Sequence, residues 1–144
     1  MKITQISVFL GNKKGRLATV TKVLAEQNIN IRSLCIAETE NYGIVRMLVD
    51  STDKAIAILK NNDFVCDKTD ILAVEVPDVP GGLNSILEIF DTNNINIEYA
   101  YAFVEKKHSN AIMIFKIDEL DKAINIAEKN NITLVSADKI ITEL

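Results

Sequence analysis

Asn28-Ile29-Asn30-Ile31 recurs as Asn94-Ile95-Asn96-Ile97. The same shift of 66 residues lays Gly15-Arg16-Leu17 on Gly81-Gly82-Leu83, Val20 on Ile86, Val23 on Ile89 and Leu24 on Phe90. Further along the shift becomes 68. There Asp53-Lys54-Ala55-Ile56 meets Asp121-Lys122-Ala123-Ile124, and Asn62 meets Asn130. A repeat of this kind decides the fold reading before any single element does. One unit is written twice, over residues 1–69 and 70–144. The change of shift implies two residues inserted in the second copy near Glu105-Lys106-Lys107-His108. That stretch is expected to be a surface turn, where insertions are tolerated.

Each copy has the same order of elements. Ile3 to Leu10 alternates and is partly β-branched, which predicts a strand, as does Ile71 to Val76. Helices follow at about 17–27 and 83–92, with Leu17, Val20, Val23 and Leu24 inward in one and Leu83, Ile86, Leu87 and Phe90 inward in the other. Ile29 to Ala37 and Ile44 to Val49 read as a hairpin. Asp50-Ser51-Thr52-Asp53 offers N-cap residues to a second helix, Lys54 to Lys60, with Ala55, Ile56 and Leu59 inward. A short strand, Phe64 to Asp67, ends the unit. The order βαββαβ predicts an α+β protein of two ferredoxin-like modules, each an antiparallel sheet with helices on one face. No Pro/Ser-rich linker separates them, so the modules are expected to pack side by side.

Four of five glycines (Gly11, Gly15, Gly81, Gly82) and both prolines (Pro77, Pro80) fall in the two strand-to-helix loops. Glycine there permits positive φ and close approach of a ligand. Each loop ends at a helix N-terminus, where N–H groups and the dipole favour a carboxylate or phosphate. The spacing Gly11 to Gly15 is not the G-x-x-x-x-G-K-[ST] of a nucleotide loop, and the second loop has no lysine. Turn geometry alone would also call for these glycines.

Asn12-Lys13-Lys14-Gly15-Arg16-Leu17 and Asp78-Val79-Pro80-Gly81-Gly82-Leu83, each followed by a helix and then Asn-Ile-Asn-Ile, resemble the signature of ACT domains. These are βαββαβ regulatory modules that bind amino acids or related small molecules. The resemblance covers nearly the whole chain and is strongest to small proteins made of two such domains. Lys14 stands where proline is usual. The resemblance implies a free amino acid as ligand, lying between two modules, and no other cofactor. Loop N–H groups would meet its carboxylate. Asn12 and Asn30 in the first copy, and Asp78 and Asn96 in the second, would hold its amino and carboxyl groups. The loop residues Lys13, Lys14, Gly15, Arg16, Leu17, Val79, Pro80, Gly81, Gly82 and Leu83 would line the sites. A zwitterion needs donors for its carboxylate and acceptors for its ammonium, and Asp78 is the stronger ammonium partner because it is charged.

Plainer roles stand beside these. Asn30 and Asn96 can shape the entry to a strand. Asp78 can cap a helix or loop. Tyr99, Tyr101 and Phe103 share one face of a strand, where core packing, a module interface or a ligand wall are all open.

Other classes of function fit less well. The only histidine, His108, lies in the expected turn, and no H-E-x-x-H or Cys/His metal pattern exists, so no enzyme and no metal site is expected. The strand Ala111 to Phe115 lacks the aromatic pattern of an RNA-binding sheet, and the net charge is −4, so no nucleic acid partner is expected. A protein-interaction module without a small ligand remains the alternative function. No membrane span is expected, since no apolar run approaches about 18 residues. Met1-Lys2-Ile3-Thr4-Gln5 lacks a basic flank before an apolar run, and Cys35 and Cys66 show no C-x-x-C spacing, which suggests a cytoplasmic protein with reduced thiols. Sheet edges need cover, which favours a homodimer, and any regulatory output would pass to a partner enzyme or regulator.

Overall fold

The computed structural model describes residues 1–11, 13–38, 42–103 and 110–142. The chain runs β1 (Ile3–Gly11), α1 (Arg16–Glu26), β2 (Ile31–Glu38), β3 (Tyr42–Val49), α2 (Thr52–Asn61), β4 (Val65–Pro77), α3 (Gly82–Thr92), β5 (Ile97–Phe103), β6 (Asn110–Ile117), α4 (Leu120–Lys129), β7 (Leu134–Val135) and α5 (Ala137–Thr142). It divides into a first unit, Thr4–Thr69, and a second, Asp70–Leu144 with Met1–Ile3. Both are ferredoxin-like modules with antiparallel strands, as the repeat predicts.

In the first unit the strand order is β2-β3-β1, with β4 next. Val8 and Ile36 both pair with Val45, and Ile6 and Leu34 both pair with Met47, so these side chains share the helix-facing side. The core gathers Ile6, Val8 and Leu10 of β1, Val45, Met47 and Val49 of β3, Val20 and Leu24 of α1, and Ala55 and Leu59 of α2. The opposite face of β1 buries Gln5 and Ser7, whose side chains are joined by a 3.1 Å bond from Gln5 Nε2 to Ser7 Oγ. That pair keeps the alternation of polar and apolar residues but is buried, and the hydrogen bond offsets its desolvation.

In the second unit β6 lies between β4 and β5, and β7 pairs with β4. Leu72, Val74 and Val76 of β4 pack with Ile86 and Phe90 of α3 and with Leu120, Ala123 and Ile126 of α4. Phe90 meets Phe115 edge to face, with centroids 6.1 Å apart. Tyr101 and Phe103 pair with Ile114 and Ile112 on the other side of the sheet and are buried there.

Three sequence expectations need correction. The strands expected at 64–67 and 71–76 are one continuous strand, β4, because the intervening Lys68-Thr69-Asp70 contains no glycine or proline to turn it. Leu83, expected inward, is exposed, because the buried stripe of α3 runs through Gly82, Ile86 and Phe90 at four-residue spacing and leaves Leu83 beside it. The short helix α5 was not expected. Ser136 Oγ accepts the Lys139 N–H at 3.3 Å, and the Lys139 ammonium reaches Glu75 at 2.8 Å. The expected insertion around Glu105 to His108 lies outside the described residues. The flanking strands agree with it: β2 and β5 begin at Ile31 and Ile97, whereas β3 and β6 begin at Tyr42 and Asn110.

Helices α1 to α4 all end in the same way. Asn28, Asp63, Asn94 and Asn131 follow the helix caps with φ of 55°, 62°, 53° and 55°. The next residue donates its N–H back into the last turn, as in Ile29 to Leu24 at 3.0 Å and Ile95 to Phe90 at 2.9 Å. This is the Schellman ending, with Asn or Asp where glycine is commonest. It gives the first asparagine of each Asn-Ile-Asn-Ile repeat a structural duty, because Asn tolerates the left-handed region better than most residues.

Cys66 belongs to the first core, and Cys35 is half-buried; both are free. Burial pushes the Cys66 thiol above its ordinary value of 9.0, Lys60 opposes this and Asp67 adds to it. The protonated thiol therefore favours the folded state below the ordinary value, and this contribution is lost as pH rises through the raised one. In native protein at neutral pH, a thiol reagent is expected to label Cys35 and spare Cys66. Equal labelling rates would contradict the buried placement. Stability should also fall on the alkaline side of 9.0, and less so in a Cys66→Val variant.

Candidate functional site

The two strand-to-helix loops fold alike despite their different residues. Lys13 N–H donates to Gly11 at 2.8 Å, and Val79 N–H to Pro77 at 2.9 Å. Arg16 N–H then donates to Lys13 at 3.4 Å, and Gly82 N–H to Val79 at 2.9 Å. Gly15 has φ 82° and ψ −6°, and Gly81 has φ 84° and ψ −6°. An i to i+3 bond with positive φ at the third residue is a type II turn, which prefers proline second and glycine third. Pro80-Gly81 satisfies both preferences and Lys14-Gly15 only the second. Lys14 therefore preserves the turn without the proline's restriction on the unfolded chain. A Lys14→Pro variant is expected to gain about 0.4–1 kcal/mol. An unchanged or lower urea midpoint would show that the first turn differs from the second.

Each turn ends at a helix that starts without help. α1 and α3 have glycine at the N-cap, no side-chain cap and no acidic residue in the first turn. The other long helices differ, since α2 carries Asp53 and α4 carries Asp121 in the first turn. The positive ends of α1 and α3 are thus without the carboxylate that usually complements them. In the first unit, Leu10, Gly11, Lys13, Arg16 and Leu17 join Ile36, Gly43 and Val45 around a pocket of about 170 Å³. Among the described residues, no acidic side chain pairs with Lys13 or Arg16; the guanidinium of Arg16 lies over the ring of Phe64, 5.1 Å from its centroid. In the second unit Asp78, Val79, Pro80, Gly81 and Leu83 are exposed, and Gly82 is buried.

The asparagines stand elsewhere. Asn30 follows the C-terminal end of α1, whose 11 residues set it apart from Gly15. A helix of that length spans about 16 Å, so within one unit Asn30 does not join the loop. It is exposed and lines a pocket of about 360 Å³ with Ala25, Asn28, Ile29 and Asp50. Asn96 is exposed at the matching end of α3. Asn12 lies outside the described residues, as does His108.

Asp50 is the residue that sequence reasoning assigned only to helix capping. Its Oδ1 is buried without a hydrogen-bond partner among the described residues, and its N–H donates to the Asn30 carbonyl at 3.1 Å. The matched Asp118 differs, because its carboxylate accepts the Glu119 N–H at 2.8 Å. The only available signal was that Asp50, just after β3, lies next to Asn30 in the fold, a long-range fact. Among the described residues, no three His, Cys, Asp or Glu side chains gather to hold a metal ion. No described helix is long and apolar enough to cross a membrane.

Comparison with known proteins adds an independent line. The chain is similar to protein BT0572 from Bacteroides thetaiotaomicron, at 37% identity over 99% of this chain and 97% of that one, with a TM-score of 0.92. It also resembles, in fold, the ligand-free regulatory subunit of aspartate kinase from Thermus thermophilus, at 15% identity over 88% of this chain and 91% of that one, with a TM-score of 0.63. The corresponding subunit from Thermus flavus matches at 14% identity over 88% and 90%, with a TM-score of 0.60. No curated protein matches the sequence. The family model described as an ACT domain pair matches residues 1–144. With the duplicated turns and the paired βαββαβ units, this places the chain in the ACT family, as an ACT domain pair.

Proposed function

We propose that this chain is a non-catalytic regulatory protein that binds a free amino acid at its glycine loops and works as a homodimer. The observation that carries this reading is the pair of matched turns that deliver α1 and α3 with uncomplemented positive ends. A carboxylate placed there would receive backbone N–H groups and the helix dipole together. Lys13 adds positive charge at the first loop. The ammonium group needs acceptors, and Asn30 with the Oδ1 of Asp50, which has no hydrogen-bond partner among the described residues, supplies them. A free amino acid is far shorter than α1, so one molecule cannot touch both ends of that helix in one unit.

A second protomer resolves this. β2 ends the strand order of the first unit and carries exposed Leu34 and Ile36. An antiparallel, two-fold pairing of β2 with its copy would bring the loop end of one protomer beside the Asn30 end of the other. Binding would then favour the dimer, and the dimer would signal to an enzyme or regulator through differential affinity. Free Cys35 and Cys66 suit a cytoplasmic location.

Thermal shift and calorimetry against all the common amino acids test the reading, with light scattering for the oligomer. One amino acid is expected to raise the melting temperature at millimolar concentration, and Asn30→Ala, Asp50→Asn and Asp78→Ala to weaken that response. No shift with any amino acid would remove the ligand reading. A stable complex with a protein partner and no small-molecule response would favour an interaction module instead.

A further inference from the structure

The two loops share a backbone but not a charge. Asn12 to Leu17 carries Lys13, Lys14 and Arg16, whereas the matched Asp78 to Leu83 carries one acid, Asp78, and no cation. The turn does not call for this difference. Val79, Pro80 and Gly82 stand at the positions of the three cations, and Gly81 keeps the dihedral angles of Gly15. In the first unit Lys13 and Arg16 both line the pocket of about 170 Å³, and among the described residues no acid lines it.

Neither cation is neutralised there. Arg16 is half-buried, and its guanidinium lies over the Phe64 ring. A ring face cancels no charge and leaves the N–H donors on the guanidinium edge. Lys13 is exposed, so its ammonium adds an attraction that salt screens. Apart from Gly11 and Gly43, the rest of the lining is apolar: Leu10, Leu17, Ile36 and Val45. In the reading above, the ligand's own carboxylate meets backbone N–H groups of the turn. A zwitterion bound that way brings no net charge, and Lys13 and Arg16 stay uncompensated. A second carboxylate on a short methylene stem answers both features. The stem lies on the apolar lining, and the charge meets the two cations.

We propose that the pocket of the first loop selects an amino acid that carries a second carboxylate, and that Lys13 and Arg16 make the selection. This rests on the amino-acid reading and narrows it to one chemical class. The second loop, with Asp78 and no cation, does not share the preference.

Calorimetry of the full chain tests it, with aspartate and glutamate each set beside its amide, asparagine or glutamine, and with inorganic phosphate as a plain anion. One of the acids is expected to bind about tenfold tighter than its amide, and the gap to narrow as salt is added. Arg16→Gln and Lys13→Gln are each expected to bring the ratio of acid to amide towards one. Arg16→Gln also removes the stack on Phe64, whereas Lys13 is exposed and its replacement leaves that stack alone. Another amino acid binding as tightly as the acids, or a ratio unchanged in both variants, would overturn the selectivity and leave the amino-acid reading standing. Phosphate that binds as tightly as the acids and displaces them would overturn it too, since the pocket would then respond to charge alone. Absence of binding by every amino acid would remove both readings together.

Discussion

A Gly82→Ala variant is expected to unfold at a lower temperature than the parent, although it adds a single methyl group at the surface end of a helix. A Cβ at Gly82 would lie 2.0 Å from the Pro77 carbonyl oxygen, 3.0 Å from its carbon and 3.3 Å from the Pro77 Cβ. The obstructing atoms are mostly backbone, so no rotamer change relieves them. The loop must open instead. The first unit shows what that costs in geometry, since it carries Arg16 at the matched position and its turn hydrogen bond is 3.4 Å long rather than 2.9 Å. Forced overpacking of this kind costs about 1–3 kcal/mol. For a chain of this size that is a fall of about 3–10 °C in melting temperature.

The other glycines of the loops make internal controls. A methyl group at Gly15 or Gly81 would meet open space, but φ there is 82° and 84°, so alanine costs about 1–2 kcal/mol through backbone strain alone. Gly11 has neither obstacle, and Gly11→Ala should be nearly silent. The expected order of melting temperatures is thus Gly11→Ala highest, then Gly15→Ala and Gly81→Ala, with Gly82→Ala lowest. A Gly82→Ala protein as stable as the parent would mean that the second loop is looser than the structure shows.

The largest loss is expected from Phe90→Ala. Phe90 is fully buried in the second core and stacks edge to face on Phe115 at 81°. Truncating a buried phenylalanine costs about 3–5 kcal/mol, through lost transfer energy and the cavity left behind. The aromatic pair contributes about 0.5–1.5 kcal/mol of that beyond area. Domains are stable by only about 5–15 kcal/mol, so this one change removes a large share. Urea unfolding should show a strongly lowered midpoint. Phe90→Leu keeps most of the volume and should recover most of the loss. The Phe90 carbonyl is unaffected by either change, so it still accepts the Ile95 N–H at 2.9 Å and the helix ending survives. A Phe90→Ala midpoint close to the parent's would show that the second core relaxes around the cavity.

Much of this architecture is legible in the residue order because it rests on local rules. Period 3.6 placed Val20, Leu24, Ile86 and Phe90 inward, and the structure buries all four. The glycines at matched loop positions pointed to positive φ, and the structure gives Gly15 and Gly81 φ of 82° and 84°. Leu83 shows where the local rule stops. Its spacing suits the apolar stripe, yet in the first turn of α3 it is Gly82, four residues before Ile86, that is buried.

By itself, the sequence determined that one βαββαβ unit occurs twice, that glycine turns deliver α1 and α3, and which helix faces are apolar. Those properties follow from dihedral preference and periodicity within a few residues of one another. Only the tertiary structure decided that β4 is one strand, that Asn30 stands a helix length from Gly15 within its unit, and that Asp50 keeps a buried oxygen without a partner among the described residues. It alone showed that Arg16 reaches Phe64 and that Gly82 packs against the Pro77 backbone. Each of these depends on residues brought together from distant parts of the chain, where burial and sterics, not local propensity, set the outcome.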